Sequence, residues 1–164
     1  MTQDWHNPTA SERLEIIKST SSVAIVGMSA DTSRASYFVA TYLLSSSCTF
    51  DHVWFVNPKG GEILGRPVYP TLADLPEVPD LVDVFRRADD LPSVAKEVVA
   101  IPGTRTFWAQ LGLNSPEAVE IVTAAGRTAV MDHCLKIEHA RFRGGLHMAG
   151  FDTGVISSKR RPLL

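Results

Sequence analysis

Val23-Ala24-Ile25-Val26 is an apolar run without alternation, bounded by serine and glycine. A strand with one wet face alternates, so this pattern predicts a strand buried on both faces. Similar runs recur at Val53-Trp54-Phe55-Val56, Leu81-Val82-Asp83-Val84-Phe85, Thr106-Phe107-Trp108-Ala109 and Thr128-Ala129-Val130-Met131. Helical stretches are expected from about Ser36 to Leu44, through Val94 to Ala100, after Asn114-Ser115-Pro116-Glu117 with Gly126 as the stop, and from Leu135 to Phe142. Ahead of them Thr9 and Glu12 have the spacing of a capping box, which opens a short leading helix carrying Leu14, Ile16 and Ile17. Strands alternating with helices imply right-handed crossovers, hence an α/β fold: a doubly wound sheet of about five parallel strands with helices on both faces.

The chain has 164 residues, 45% of them hydrophobic and 21% charged, which suits one domain with a full core. The expected division is an N-terminal arm with its short helix over 1–20, the α/β domain over 21–143 and a C-terminal extension over 144–164. Sixteen basic residues against eighteen acidic ones leave a net charge of −2, so nucleic acid and anionic membranes are not expected partners and any anion site must be local. The apolar runs are strand-sized and the N-terminus lacks a basic region before an apolar one, so the expected location is the cytoplasm. Cys48 and Cys134 have no zinc-ligand spacing and are expected to stay free thiols.

Doubly wound sheets bind ligands beyond the carboxyl ends of their strands, so the five strand-end loops are the candidates. The first, Gly27-Met28-Ser29-Ala30-Asp31-Thr32-Ser33-Arg34-Ala35-Ser36, has neither a GxGxxG fingerprint nor a GK[ST]. It offers hydroxyls, the Arg34 fork and a helix N-terminus, a combination that suits phosphate. It also reads as a solvated turn with Ser36 as the helix cap, and this loop alone leaves both readings open. The second, Asn57-Pro58-Lys59-Gly60-Gly61, puts a lysine where an NAD site places an acid. That favours a phosphate on the ribose, in NADP or coenzyme A, over NAD; the alternative is a lysine on a surface turn. The third carries Phe85, Arg86 and Arg87, able to flank an adenine and a phosphate or else to pack and pair with Asp89 and Asp90. In the fourth, Gly112 lets a ligand approach the backbone and Gln110 can point at it. The fifth holds His133, Cys134, Glu138 and His139. The two histidines fall on different sides of Cys134 on a helical wheel, so no metal is expected. Cys134 reads as packing or as a thiol contact at a helix start. No GxSxG, HExxH or paired-carboxylate motif supports a catalytic residue.

Taken in order, Val26-Gly27-Met28-Ser29, Arg34-Ala35-Ser36-Tyr37, Val56-Asn57-Pro58-Lys59, Glu62-Ile63-Leu64-Gly65, Val68-Tyr69-Pro70-Thr71-Leu72, Asp83-Val84-Phe85-Arg86, Trp108-Ala109-Gln110-Leu111-Gly112 and Met131-Asp132-His133-Cys134-Leu135-Lys136-Ile137-Glu138-His139 resemble the single-domain CoA-binding protein family. That family is similar to the CoA-binding domain of the succinyl-CoA synthetase α-subunit. The resemblance covers about residues 5 to 143 and lies in the series of motifs. It implies a Rossmann-like domain that binds coenzyme A or an acyl-CoA through Gly27, Ser29, Ala30, Arg34, Ser36, Pro58, Lys59, Phe85, Arg86, Gln110, Leu111 and Gly112. The synthetase's phosphohistidine and acyl-transfer machinery lies on other domains, so ligase activity is not implied. His133 departs from the arginine often found in the family.

The function expected is a CoA carrier, sensor or redox-responsive module without catalysis of its own. The alternatives are an NADP-binding oxidoreductase and a protein-interaction module with a vestigial nucleotide site. In the extension, Leu146, Met148, Phe151, Val155 and Ile156 are too apolar for a solvated linker. They are expected to pack on the domain or on a second subunit, which leaves a homodimer open.

Overall fold

Thr9 opens the first helix in the way its spacing with Glu12 predicts. Its hydroxyl accepts from the Glu12 N–H at 3.2 Å while the Glu12 carboxylate accepts from the Thr9 N–H at 2.8 Å, so two orphan donors are satisfied reciprocally. A computed structural model describes residues 5–145. This helix, α1 (Ala10–Lys18), leads into β1 (Ser22–Val26), α2 (Ala35–Leu43), β2 (His52–Val56), β3 (Glu62–Ile63), β4 (Arg66–Tyr69), β5 (Leu81–Val84), α3 (Leu91–Val99), β6 (Thr106–Ala109), α4 (Pro116–Ala124), β7 (Thr128–Val130) and α5 (Leu135–Gly145).

The strands form one sheet in the order β3-β4-β2-β1-β5-β6-β7. Every pairing is parallel except β3 with β4. The sheet therefore has seven strands rather than about five, and the difference is the β3–β4 hairpin. Ile63 pairs with Arg66 across a two-residue turn in which Leu64 and Gly65 both have positive φ, 54° and 74°. That geometry ordinarily selects Asn-Gly, and with leucine first the usual hairpin signal is missing. Pro67 within β4 further disguises the strand.

Helices cover both faces. Ile17, Val39, Ala40, Leu43, Leu135 and Phe142 pack on one face, over Val23, Ile25, Phe55, Leu81, Trp108 and Val130. On the other, Leu91, Val94, Val98, Val119 and Val122 cover Ala24, Val26, Val82, Val84 and Phe107. The chain thus leaves β1 toward one face through α2 and leaves the adjacent β5 toward the other through α3. Where neighbouring strands part in this way, their carboxyl ends border a crevice.

The N-terminal arm docks beside the far edge of the sheet. The Asn7 side-chain amide donates to the Met131 carbonyl at 2.7 Å and accepts from the Met131 N–H at 2.9 Å, just beyond the edge strand β7. It behaves as one further peptide unit of the sheet, which shields groups that could otherwise pair with another chain. Arg13 completes the docking: its Nε donates to Glu138 Oε1 at 2.7 Å, with both side chains buried, and a second guanidinium nitrogen donates to the Pro8 carbonyl at 2.7 Å.

Candidate functional site

The crevice begins where Gly27 ends the first strand. Val26 still accepts from the Phe85 N–H of the β5 side at 2.8 Å, whereas the Gly27 and Met28 N–H groups turn to the Val56 carbonyl on the β2 side, at 2.9 and 3.2 Å. Gly27 has φ +88°, and a β-carbon there would lie 2.3 Å from the Phe85 carbonyl oxygen and 3.0 Å from Arg86 Cδ. The glycine is required by both its backbone angle and the approach of the third loop.

The following loop is held by its own hydroxyls. Ser36 is buried at 3% exposure, and its Oγ accepts from the Ser29 N–H at 3.0 Å. Ser29 Oγ in turn accepts from the Asp31 N–H at 3.0 Å. The cap of α2 is Arg34 rather than Ser36, and no side chain bonds the helix start; its first turn holds no acidic residue. Thr9 and Ser115 by contrast cap α1 and α4. The unanswered N–H groups and the helix dipole leave positive potential at the rim. Arg34 is exposed and stands 4.0 Å from Asp31, a weak pairing. The backbone N–H of Ser33, then its hydroxyl, and Arg34 last, hold the Asp31 carboxyl below its ordinary range.

Asn57 ties the first loop to the second: its Nδ2 donates to the Met28 carbonyl at 2.8 Å, and its Oδ1 accepts from the Lys59 N–H at 2.9 Å. Pro58 and Lys59 are exposed on that turn. In the third loop Phe85 is half-buried against the α2 face, and Arg86 lies over Gly27 with a nitrogen 3.5 Å from Asp90 Oδ2. Of the two arginines expected to pair here, Arg86 has the carboxylate and Arg87 is exposed.

The fourth and fifth loops are joined by Asp132. This residue has φ +60°, and its Oδ1 accepts from the Gly112 N–H at 2.6 Å. Gly112, also at positive φ, therefore spends its donor on Asp132, while Leu111 beside it is 59% exposed and Gln110 is 7% exposed. Cys134 is 8% exposed and lies in the apolar cluster with Trp108 and Leu135. Behind the loop, Glu138 faces Arg13 at 2.7 Å, Arg141 at 3.6 Å and His133 at 3.8 Å. Partial burial, and next the Arg13 charge, lower the His133 pKa despite Glu138.

The structure thus sets the sequence-derived candidates along one edge of the sheet. Gly27, Phe85 and Arg86 come into direct apposition, and Ser29 and Ser36 bond each other; Ala30 and Leu111 are exposed on the rim. Asn57, Asp132 and Asp83 were not among the candidates. The first two could have been found from Asx chemistry, since these short polar side chains bond their own turns and tolerate positive φ. Among the described residues no group of three or more His, Cys, Asp or Glu side chains could hold a metal ion, and no helix is long and apolar enough to cross a membrane.

Residues 21–140 match the protein-family model of a CoA binding domain. The chain belongs to this CoA-binding family. Among relatives of this CoA-binding domain, the uncharacterized protein YneT of Bacillus subtilis (strain 168) is 35% identical over 134 residues, covering 82% of this chain and 96% of that protein. A hypothetical protein from Pyrococcus horikoshii OT3 superposes with a TM-score of 0.77 at 29% identity, over 87% of this chain and 100% of that one. The dinucleotide-forming acetyl-coenzyme A synthetase 1 of Ca. Korarchaeum cryptofilum shares the fold, with a TM-score of 0.57 at 22% identity over 66% of this chain and 25% of the synthetase.

Proposed function

We propose that this domain holds coenzyme A or an acyl-CoA across the carboxyl ends of β2, β1, β5 and β6 and acts as a carrier or sensor without catalysis of its own. The observation that carries the reading is the α2 N-terminus: a nine-residue helix with no side-chain cap and no acid in its first turn, opening beside Arg34. A diphosphate placed there meets backbone N–H groups and the helix dipole. Lys59, on the turn that Asn57 fixes, serves the 3′-phosphate. Phe85 and Arg86 border the nucleotide, and Gln110, Leu111 and Gly112 border the remainder of the ligand. Cys134 lies behind the last loop as a thiol contact.

Calorimetric titration of the purified protein with CoA, dephospho-CoA and NADP tests this directly. The expected result is binding of CoA in preference to dephospho-CoA, with NADP weaker than either. Tight binding of NADP with no response to CoA would overturn the proposal in favour of an NADP-dependent enzyme. Equal affinity for CoA and dephospho-CoA would remove Lys59 from its assigned role.

A further inference from the structure

Asp83 is a carboxylic acid with 0% exposure and no hydrogen-bond partner for either oxygen. Its surroundings are apolar: it sits on β5 between Ile25 of β1 and Trp108 of β6 in register, on the face packed by α2 and α5. Burial raises its pKa well above the ordinary carboxylate value and so favours the undissociated acid, which has one donor and one acceptor. Gln110 is close by. Its N–H donates to the Val84 carbonyl at 3.2 Å, which continues the β5–β6 ladder past the last residue of β6. Two positions beyond Trp108, Gln110 falls on the same face as Asp83 and diagonal to it, within reach of a long side chain. Gln110 Oε1 is also buried without a partner.

Unanswered polar atoms in a core are costly and call for an explanation. Of the four such side-chain oxygens among the described residues, three belong to this pair; the fourth, on Thr104, lies at the opposite end of the sheet. An apolar residue at position 83 would pack as Val82 and Val84 do on the other face. Gln110 stands at the ligand-bearing edge three strands from the Lys59 turn, and Asp83 two strands from it, or about 14 and about 10 Å at ordinary strand spacing.

We propose that Asp83 and Gln110 are the polar floor of the site and that they hydrogen-bond the amide groups of the pantetheine arm. The inference rests on the CoA reading above and deepens it. The arm is an otherwise apolar chain carrying two amides, each with an N–H to donate and a carbonyl to accept. A protonated carboxyl answers both halves of an amide, and Gln110 Oε1 accepts from an N–H. Entry of the arm displaces the Gln110 side chain, the one nearer the edge, and reaches the acid behind it. Arm recognition is thereby separated from nucleotide recognition, which belongs to the loops after β1 and β2.

The test compares CoA with 3′-phospho-ADP, the same nucleotide without the arm, on wild-type protein and on Asp83→Leu, Asp83→Asn and Gln110→Met. Asp83→Leu and Gln110→Met are expected to weaken CoA binding about tenfold and to leave 3′-phospho-ADP within about twofold, while Asp83→Asn, which keeps a donor and an acceptor, retains CoA within about threefold. Gln110→Met carries the comparison if Asp83→Leu does not fold. Equal losses for both ligands, or no loss for either, would show a purely structural pair and overturn the inference. So would wild-type protein that binds the two ligands equally. A wild type that binds neither ligand defeats the CoA reading itself, a separate outcome.

Discussion

A β-carbon on Gly27 would stand 2.3 Å from the carbonyl oxygen of Phe85, closer than any real contact of that kind. Neither partner can yield by rotating a side chain, because the obstacle is backbone, and β1 and β5 pair directly below it. Gly27→Ala therefore combines left-handed strain with a clash between the two loops that border the crevice. The expected loss is about 3 kcal/mol in urea unfolding, together with loss of CoA binding. An alanine variant as stable as wild type would contradict this geometry.

Glu138→Ala leaves Arg13 buried without its carboxylate. We expect destabilisation of about 3 to 5 kcal/mol, and a double variant, Arg13→Met with Glu138→Leu, that recovers most of it because no charge remains buried. Chemical denaturation of the two variants beside wild type checks both expectations.

Asp83 makes stability depend on pH in a defined direction. Its pKa is raised in the folded protein, so its contribution is fully present below the ordinary value near 3.8 and is lost as pH rises toward the folded value. Relative to Asp83→Asn, which does not titrate, wild-type protein should lose about 1.4 kcal/mol per pH unit from about pH 4 upward until the acid ionises. Urea unfolding of the pair between pH 4 and 7 measures the slope; a constant difference would mean that Asp83 is ionised in the fold.

Arg34→Ala and Lys59→Ala should each weaken CoA binding by about 1.5 to 3 kcal/mol, the range for a hydrogen bond to a charged group. Both side chains are exposed in the free protein, so values near the lower end are expected, and the loss should shrink at high salt. Titrations at two ionic strengths give both quantities.

The buried strands were legible in the sequence because a doubly covered strand reads as an uninterrupted apolar run, and the capping box at Thr9 was legible because its chemistry is local. The β3–β4 hairpin was not, since Leu64 occupies a turn position usually given to asparagine or glycine. The candidate residues followed from their places at strand ends, but their roles in the loop did not. Ser36 could be read as a phosphate contact or a helix cap and is a buried acceptor for Ser29; Arg86 could be read as a nucleotide contact or as a partner of the nearby acids, and it stands 3.5 Å from Asp90. Asp83 could not be told from the apolar residues beside it, because a single acid in a strand gives no sign of whether its oxygens have partners. The apolar extension expected to pack against the domain lies outside the described residues.

The bond between Asn7 and Met131 spans 124 positions of sequence, and Arg13 to Glu138 spans 125. At ordinary rates of synthesis a ribosome takes about 6 to 25 s to add that length of chain. During that time the arm and the first helix have no docking partner, while β1, β2 and β5 can already pair. The nascent chain therefore acquires its crevice well before the arm docks. Docking of the arm is thus a late event, and it answers the groups of Met131 beside β7 only after most of the sheet has had time to pair.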